Sequence, residues 1–370
     1  MNIDYEDMKG RAKNLYKEMW GEYDFSAIPT KLNKTYSKRY KRASMNSYSF
    51  CNKKCEKSEM KSDCNLCEFK KENILIKTFG LENNKDTFLT KYGMATSGSG
   101  GEGNRITTLH SSSLCALLHF YNIDNKPLTI AFDTYKKGKT NRREVTFTKS
   151  FFEYKNIVIN NPSNMDVVLL GEDKNGEKVI LFLESKFSEY YMSASSVLHD
   201  ISEEYEKNDY SKPLYEELRK EDKMHLERKD DKKGYFKLES EDMFYIGGIK
   251  QMISHYVGVM NAIKDGPDEK ENPNKYYENL NKKLGEEKTK VILGEIIFDN
   301  RIGNLYFRSN PEKGCADIYK EKYNILAKKI GKLQEDNDRF EIIENVLSYS
   351  LFKEFKDRLD PNVRKFYRYE

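Results

Sequence analysis

Three residues stand out by type and spacing: Asp166, Glu184 and Lys186. Residues 161–187 read NPSNMDVVLLGEDKNGEKVILFLESKF, two apolar strands around Asp173-Lys174-Asn175-Gly176-Glu177. A type I turn with Gly176 in the left-handed position makes a three-residue hairpin loop with a bulge. Asp173 then faces Glu177, and counting back along both strands sets Asp166 opposite Glu184. A two-residue loop would set Asp166 against Ser185 instead. Glu184 and Lys186 are two apart and share one face of their strand. Two carboxylates and an ammonium on an apolar hairpin cost free energy unless something compensates them. A divalent cation would do so. Asp166, Glu184 and the carbonyl of Ser185 are hard oxygen ligands suited to Mg²⁺, or to Mn²⁺. Such an ion polarises a phosphodiester and stabilises the charge that develops on it. Lys186 would position or deprotonate the attacking water.

The elements that must hold these groups are readable from hydrophobic pattern. An apolar helix spans about 107–121, with Ser111–Ser113 as hydroxyl caps at its start. Strands follow at 127–132, 143–159, 165–170 and 178–187. A charged, helix-rich insertion is expected at about 196–242, then a helix over 243–264 and a strand over 290–298. The last 50 residues carry Ile325, Leu326, Ile330, Leu333, Ile342, Ile343, Val346 and Leu347 at three-to-four-residue spacing, which predicts helix. Gly-rich TSGSGGEGN at 96–104 marks a boundary. The expected organisation is a basic N-terminal region over 1–100, a core over 101–310 and a helical C-terminal extension over 311–370. The core is an α/β domain with a mixed central sheet flanked by helices.

Composition narrows the classes. The chain has 370 residues, 64 Lys and Arg against 60 Asp and Glu, and a net charge of +4. Apolar residues at 38%, with 13% aromatic, argue for a folded chain. No run approaches the ~18 apolar residues of a membrane helix, and the opening MNIDYEDMKGRAKNLYKEMW has no secretory apolar core. A cytoplasmic protein with reduced thiols is expected, without membrane association.

Asp166 followed by Glu184-Ser185-Lys186, with Pro162 just upstream, resembles the PD-(D/E)xK motif of the restriction-endonuclease-like nucleases. The order helix, three strands, helix, strand is similar to the α-β-β-β-α-β core of that superfamily. Gly248-Ile249-Lys250-Gln251 resembles the glutamine-bearing helix of its recombination-type members. There a tyrosine stands four residues on; here that position holds His255, with Tyr256 next. The likeness covers roughly residues 100–300 and is nearest to uncharacterised bacterial members. The Glu-x-Lys triplet alone selects nothing, because nine occur in the chain. Position selects Glu184: it ends an apolar strand and has an aspartate on its hairpin partner. The resemblance implies a Mg²⁺-dependent endonuclease acting on DNA in restriction, defence or repair. Asp166 and Glu184 would hold the metal, Lys186 would handle the water, and Gln251 would orient Lys186 or the phosphate. A further acid is usual in the superfamily: Glu153 lies one strand back, and Glu102 just before the preceding helix. RNA stays open as substrate, and so does a homodimer.

Four of six cysteines form Cys51-x₃-Cys55-x₈-Cys64-x₂-Cys67. Two close pairs of thiolates suit structural Zn²⁺, with an iron–sulfur cluster as the competitor. Residues 31–71 carry twelve Lys or Arg against four acids, an excess of +8 that a Zn(Cys)₄ site lowers to +6. Lys38, Arg39 and Arg42 are interleaved with Tyr36 and Tyr40 there, a pairing of phosphate contact with base stacking. Lys136, Lys137, Lys139, Arg142 and Arg143 make a second basic stretch, expected as a loop between strands and suited to nucleic-acid backbone. Two other readings fit these residues: a nucleic-acid-binding module of the same fold that no longer cleaves, and a zinc-stabilised protein-interaction factor.

Overall fold

β-branched and aromatic runs separated by turn residues form a meander at the centre of the fold. A computed structural model describes residues 33–35, 47–49, 71–97, 106, 111–159, 161–187, 199–220, 224–228, 235–240, 247–272, 275–299, 306–307, 310–349, 357–367 and 369. Short strands β1 (Asn33–Thr35) and β2 (Ser47–Ser49) pair antiparallel. Helices α1 (Lys71–Phe79), α2 (Lys85–Ala95) and α3 (Ser112–Phe120) follow. The meander is β3 (Leu128–Lys136), β4 (Lys139–Ile157), β5 (Pro162–Asp173) and β6 (Lys178–Lys186). Strands β7 (His199–Ser202), β8 (Met224–Arg228) and β9 (Tyr235–Ser240) form a separate small sheet, with α4 (Ser211–Leu218) between β7 and β8. Then come α5 (Gly247–Asp265), α6 (Glu278–Gly285) and β10 (Lys290–Ile297). The chain closes with β11 (Tyr306–Phe307), β12 (Asn310–Gly314), α7 (Cys315–Leu333), β13 (Phe340–Ile343), β14 (Leu347–Ser348) and α8 (Pro361–Phe366).

The main sheet is mixed, seven-stranded and ordered β13-β3-β4-β5-β6-β10-β14. Pairings from β13 through β6 are antiparallel, whereas β10 runs parallel to β6 after a crossover that includes α5. β13 also pairs parallel with β10, so its four residues join the two flanks of the run. β13 thereby covers the Thr134–Tyr135 end of β3 and residues Val291–Leu293 of β10.

Turn chemistry fixes the registers. Lys137 (φ 53°) and Gly138 (φ 71°) make the two-residue β3–β4 turn, whose twist needs positive φ at both places. Between β5 and β6, Gly176 has φ 78°, its N–H donates to the Asp173 carbonyl at 2.9 Å, and the Asp173 N–H donates to Glu177 at 3.0 Å. This is the three-residue loop that the sequence predicts, and it sets Val167 against Leu183.

Helices cover both faces. α3 is buried almost all round, and its start is capped as expected, with the Leu114 N–H donating to Ser111 Oγ at 3.1 Å. Burial of Leu114, Leu117 and Leu118 stabilises this layer by about 1.5–3 kcal/mol each. α1, α2 and α8 pack into the same core through Phe79, Phe88 and Phe366. α5 lies on the other face, close to β4: a Cβ on Gly258 would come within 2.8 Å of the Asn156 Cβ.

Two expectations need correction. The stretch over 196–242 contributes three strands and a single α-helix among its described residues, so it is not helix-rich. The C-terminal extension is not wholly helical either: Ile342, Ile343 and Leu347 lie in β13 and β14 of the main sheet. Four apolar residues in two short pairs fit a helical or an extended pattern equally, and pairing with β10 decides for strand. Residues 98–105 and the cysteines at 51, 55, 64 and 67 lie outside the described residues. Among the described residues no helix is long and apolar enough to cross a membrane.

Candidate active site

Four carboxylates occupy successive strands of the sheet in one row. Val167 pairs with Leu183, so the next position sets Asp166 of β5 opposite Glu184 of β6. Glu153 of β4 falls opposite Asp166, between the pairs Phe152–Val167 and Tyr154–Met165. Across the parallel pair, Glu184 faces Glu295 of β10. Hairpin register explains the first three; the fourth depends on a crossover of about a hundred residues. Glu295 is therefore a member that the sequence reading missed. It is fully buried and accepts a hydrogen bond from the Tyr319 hydroxyl of α7.

Lys186 projects from the same face as Glu184. Its Nζ donates to Glu184 Oε1 at 2.5 Å and to Gln251 Oε1 of α5 at 2.6 Å. The other Glu184 oxygen, Oε2, lies 2.9 Å from His255 Nε2, and His255 Nδ1 lies 2.5 Å from Ser163 Oγ. Gln251 and His255 are four apart on α5, one turn of helix, which puts both over the strand end. Glu184, Lys186 and His255 are each 4% exposed or less, whereas Gln251 is exposed and Asp166 partly so. The cluster thus opens to solvent along one side. Tyr256 faces elsewhere: its hydroxyl accepts from Gln334 at 2.6 Å and its ring packs on Phe340.

Ser185 ties the hairpin together. Its N–H donates to Asp166 Oδ2 at 2.8 Å, while its side chain points to the opposite face, donating to the Ser112 carbonyl at 3.2 Å. Asp166 Oδ1 takes no hydrogen bond from a described residue. Glu153 is buried and has φ 53°, a left-handed conformation that a non-glycine residue adopts at a cost of about 1–3 kcal/mol.

The two central carboxyls are pushed in opposite directions. Desolvation, then the charges of Glu184 and Glu153, hold Asp166 well above the usual carboxylate range against the pull of Lys186. Burial also pushes Glu184 up, but the ammonium of Lys186 and the ring of His255 more than offset it, leaving Glu184 at about 2. A crowded, partly exposed carboxyl beside an ionised one is a place where added positive charge is favourable. Among the described residues no three His, Cys, Asp or Glu side chains already converge as a metal cage. The donors that are assembled, two carboxylates beside a strand backbone, fit an ion such as Mg²⁺ that keeps most of its waters.

The second basic stretch lies elsewhere, and most of it is strand rather than loop, with only Lys137 and Gly138 in the turn. Arg143 donates to both oxygens of Glu341, to Glu177 at 3.0 Å and to Asp173 at 3.4 Å. Arg142 pairs with Asp133 at 3.1 Å, and Lys136 and Lys137 both reach Asp338. Lys139 is exposed. These residues sit by the β5–β6 turn, seven residues along β5 from Asp166, or about 23 Å at ~3.3 Å per residue. Lys38, Arg39, Arg42 and Glu102 lie outside the described residues.

No family model, curated protein or solved structure matches the chain.

Proposed function

We propose that the chain is a divalent-cation-dependent endonuclease with a restriction-endonuclease-like core, acting on DNA in restriction, defence or repair. The observation that carries this reading is the convergence of Asp166, Glu184, Lys186 and Gln251 at one strand end. Helix α3, strands β4, β5 and β6, helix α5 and strand β10 also run in the order that the resemblance implies, with β3, β13 and β14 added around them.

In this reading Asp166, Glu184 and the Ser185 carbonyl hold Mg²⁺ or Mn²⁺, with Glu153 as the further acid. The ion supplies Lewis-acid polarisation of a phosphodiester oxygen. Lys186, held between Glu184 Oε1 and Gln251 Oε1, lies where it would orient the attacking water and meet the charge growing on phosphorus. Gln251 uses Oε1 to hold that ammonium, which leaves its exposed amide N–H groups for a phosphate oxygen.

Cleavage of supercoiled plasmid in Mg²⁺, by the wild type and by Lys186→Ala, tests the reading. The wild type should nick or linearise the plasmid, and the variant should be slower by roughly 10²- to 10⁴-fold. Equal cleavage by both proteins, or none by a folded wild type across plasmids and metals, would overturn it.

A further inference from the structure

His255 occupies a position where the resemblance implies tyrosine, and its ring makes two short contacts inside the cluster. We propose that His255, braced by Ser163, is a positioning residue that fixes Glu184 for cation binding. The role rests on the nuclease reading above and adds to it a device particular to this chain.

The hydrogen-bond chemistry leaves little choice of arrangement. A carboxylate oxygen accepts hydrogen bonds. The hydrogen between Glu184 and His255 is therefore carried by Nε2, 2.9 Å from Oε2. Nδ1 lies 2.5 Å from the buried Ser163 hydroxyl on the ring's other side. Ser163 so fixes the ring plane that aims Nε2–H at Glu184. With Lys186 on Oε1 and His255 on Oε2, rotation of the carboxylate about its last bond is blocked. A carboxylate offers about four lone-pair sites, and two remain for a cation. Without His255, one oxygen would be held and the other would swing, and a loosened ligand weakens ion binding even though the ligand itself is intact.

A buried ring also fills space between α5 and the sheet, so the test separates shape from the N–H. His255→Leu keeps bulk and loses the donor; His255→Gln places an amide N–H near the position of Nε2. The readout is Mn²⁺ affinity, measured by titration calorimetry on the full chain without nucleic acid, after circular dichroism has shown each variant folded. His255→Leu should bind Mn²⁺ roughly 10- to 100-fold more weakly than the wild type. His255→Gln should recover most of that loss, and Ser163→Ala should weaken binding by a few-fold only. Wild-type affinity in a folded His255→Leu, or equal losses in Leu and Gln, would overturn the positioning role and leave the nuclease reading standing. Should His255→Leu not fold, unchanged affinity in Ser163→Ala would overturn it instead. A wild type that binds no Mn²⁺ would sink the nuclease reading and the positioning role together.

Discussion

Two clusters of buried charge sit at opposite ends of β5, and they are built on different principles. At the β5–β6 turn, Arg143 satisfies Glu341 bidentately and reaches Asp173 and Glu177, while Thr134 donates to the same Glu341 at 2.7 Å. Every carboxylate there has a cation or a donor facing it. At the other end Lys186 and His255 serve Glu184, while Asp166 stands beside Glu184 and Glu153 and accepts from the Ser185 N–H on Oδ2. Asp166 is held well above the carboxylate range there, and Glu153 sits in a left-handed backbone conformation. The Arg143 network acts as a clasp between strands. A carboxyl crowded by other acids destabilises the resting fold and persists where a ligand can complete it. Carboxyls clasped by a shared cation, set against one crowded by like charges, thus separate scaffold from candidate site.

Breaking the clasp should have the largest effect on stability. Arg143→Met leaves Glu341, Asp173 and Glu177 without their shared cation and should cost about 3–5 kcal/mol in urea unfolding. A loss below about 1 kcal/mol would mean the two ends differ less than their geometry indicates.

Next in size is the acid limb of the site. Glu184 has a folded pKa of about 2, below its unfolded 4.5, so its contribution is present above pH 4.5 and disappears as pH falls toward 2. The wild type should lose on the order of 3 kcal/mol over that window relative to Glu184→Gln, both measured without metal. Parallel pH profiles would contradict the pairing of Glu184 with Lys186 and His255. Asp166 has the opposite sign: its folded pKa lies above 3.8, so its unfavourable contribution is absent in acid and grows as pH rises through the raised value.

The smallest effect is at Glu153. At φ 53° an alanine should be less stable than a glycine by about 1 kcal/mol, the reverse of the usual order in a strand. Urea unfolding of Glu153→Gly and Glu153→Ala would sharpen the comparison, because no described non-glycine residue of the Arg143 network has positive φ.

Much of the site's geometry was legible because it is local. Asp173-Lys174-Asn175-Gly176-Glu177 dictates its own loop, and a period-two count from that loop reaches Asp166 and Glu184 without any long-range information. Gln251 came from a short sequence likeness on α5. The contacts of Ser163, His255 and Glu295 were not legible, since they join segments tens to a hundred residues apart whose approach depends on packing. Arg143 looked like a nucleic-acid contact because its charge was visible and its three acidic partners were not. Ile342, Ile343 and Leu347 looked helical because short apolar pairs carry no decisive period.

The most direct test of the contrast is the urea unfolding free energy of Asp166→Asn against the wild type at pH 7, without metal. Asparagine keeps the shape and the acceptor for the Ser185 N–H while removing the crowded charge. Unfolding should require as much free energy as in the wild type, or more. A loss of about 2 kcal/mol or greater would contradict the account, because Asp166 would then be a paired structural acid like those around Arg143.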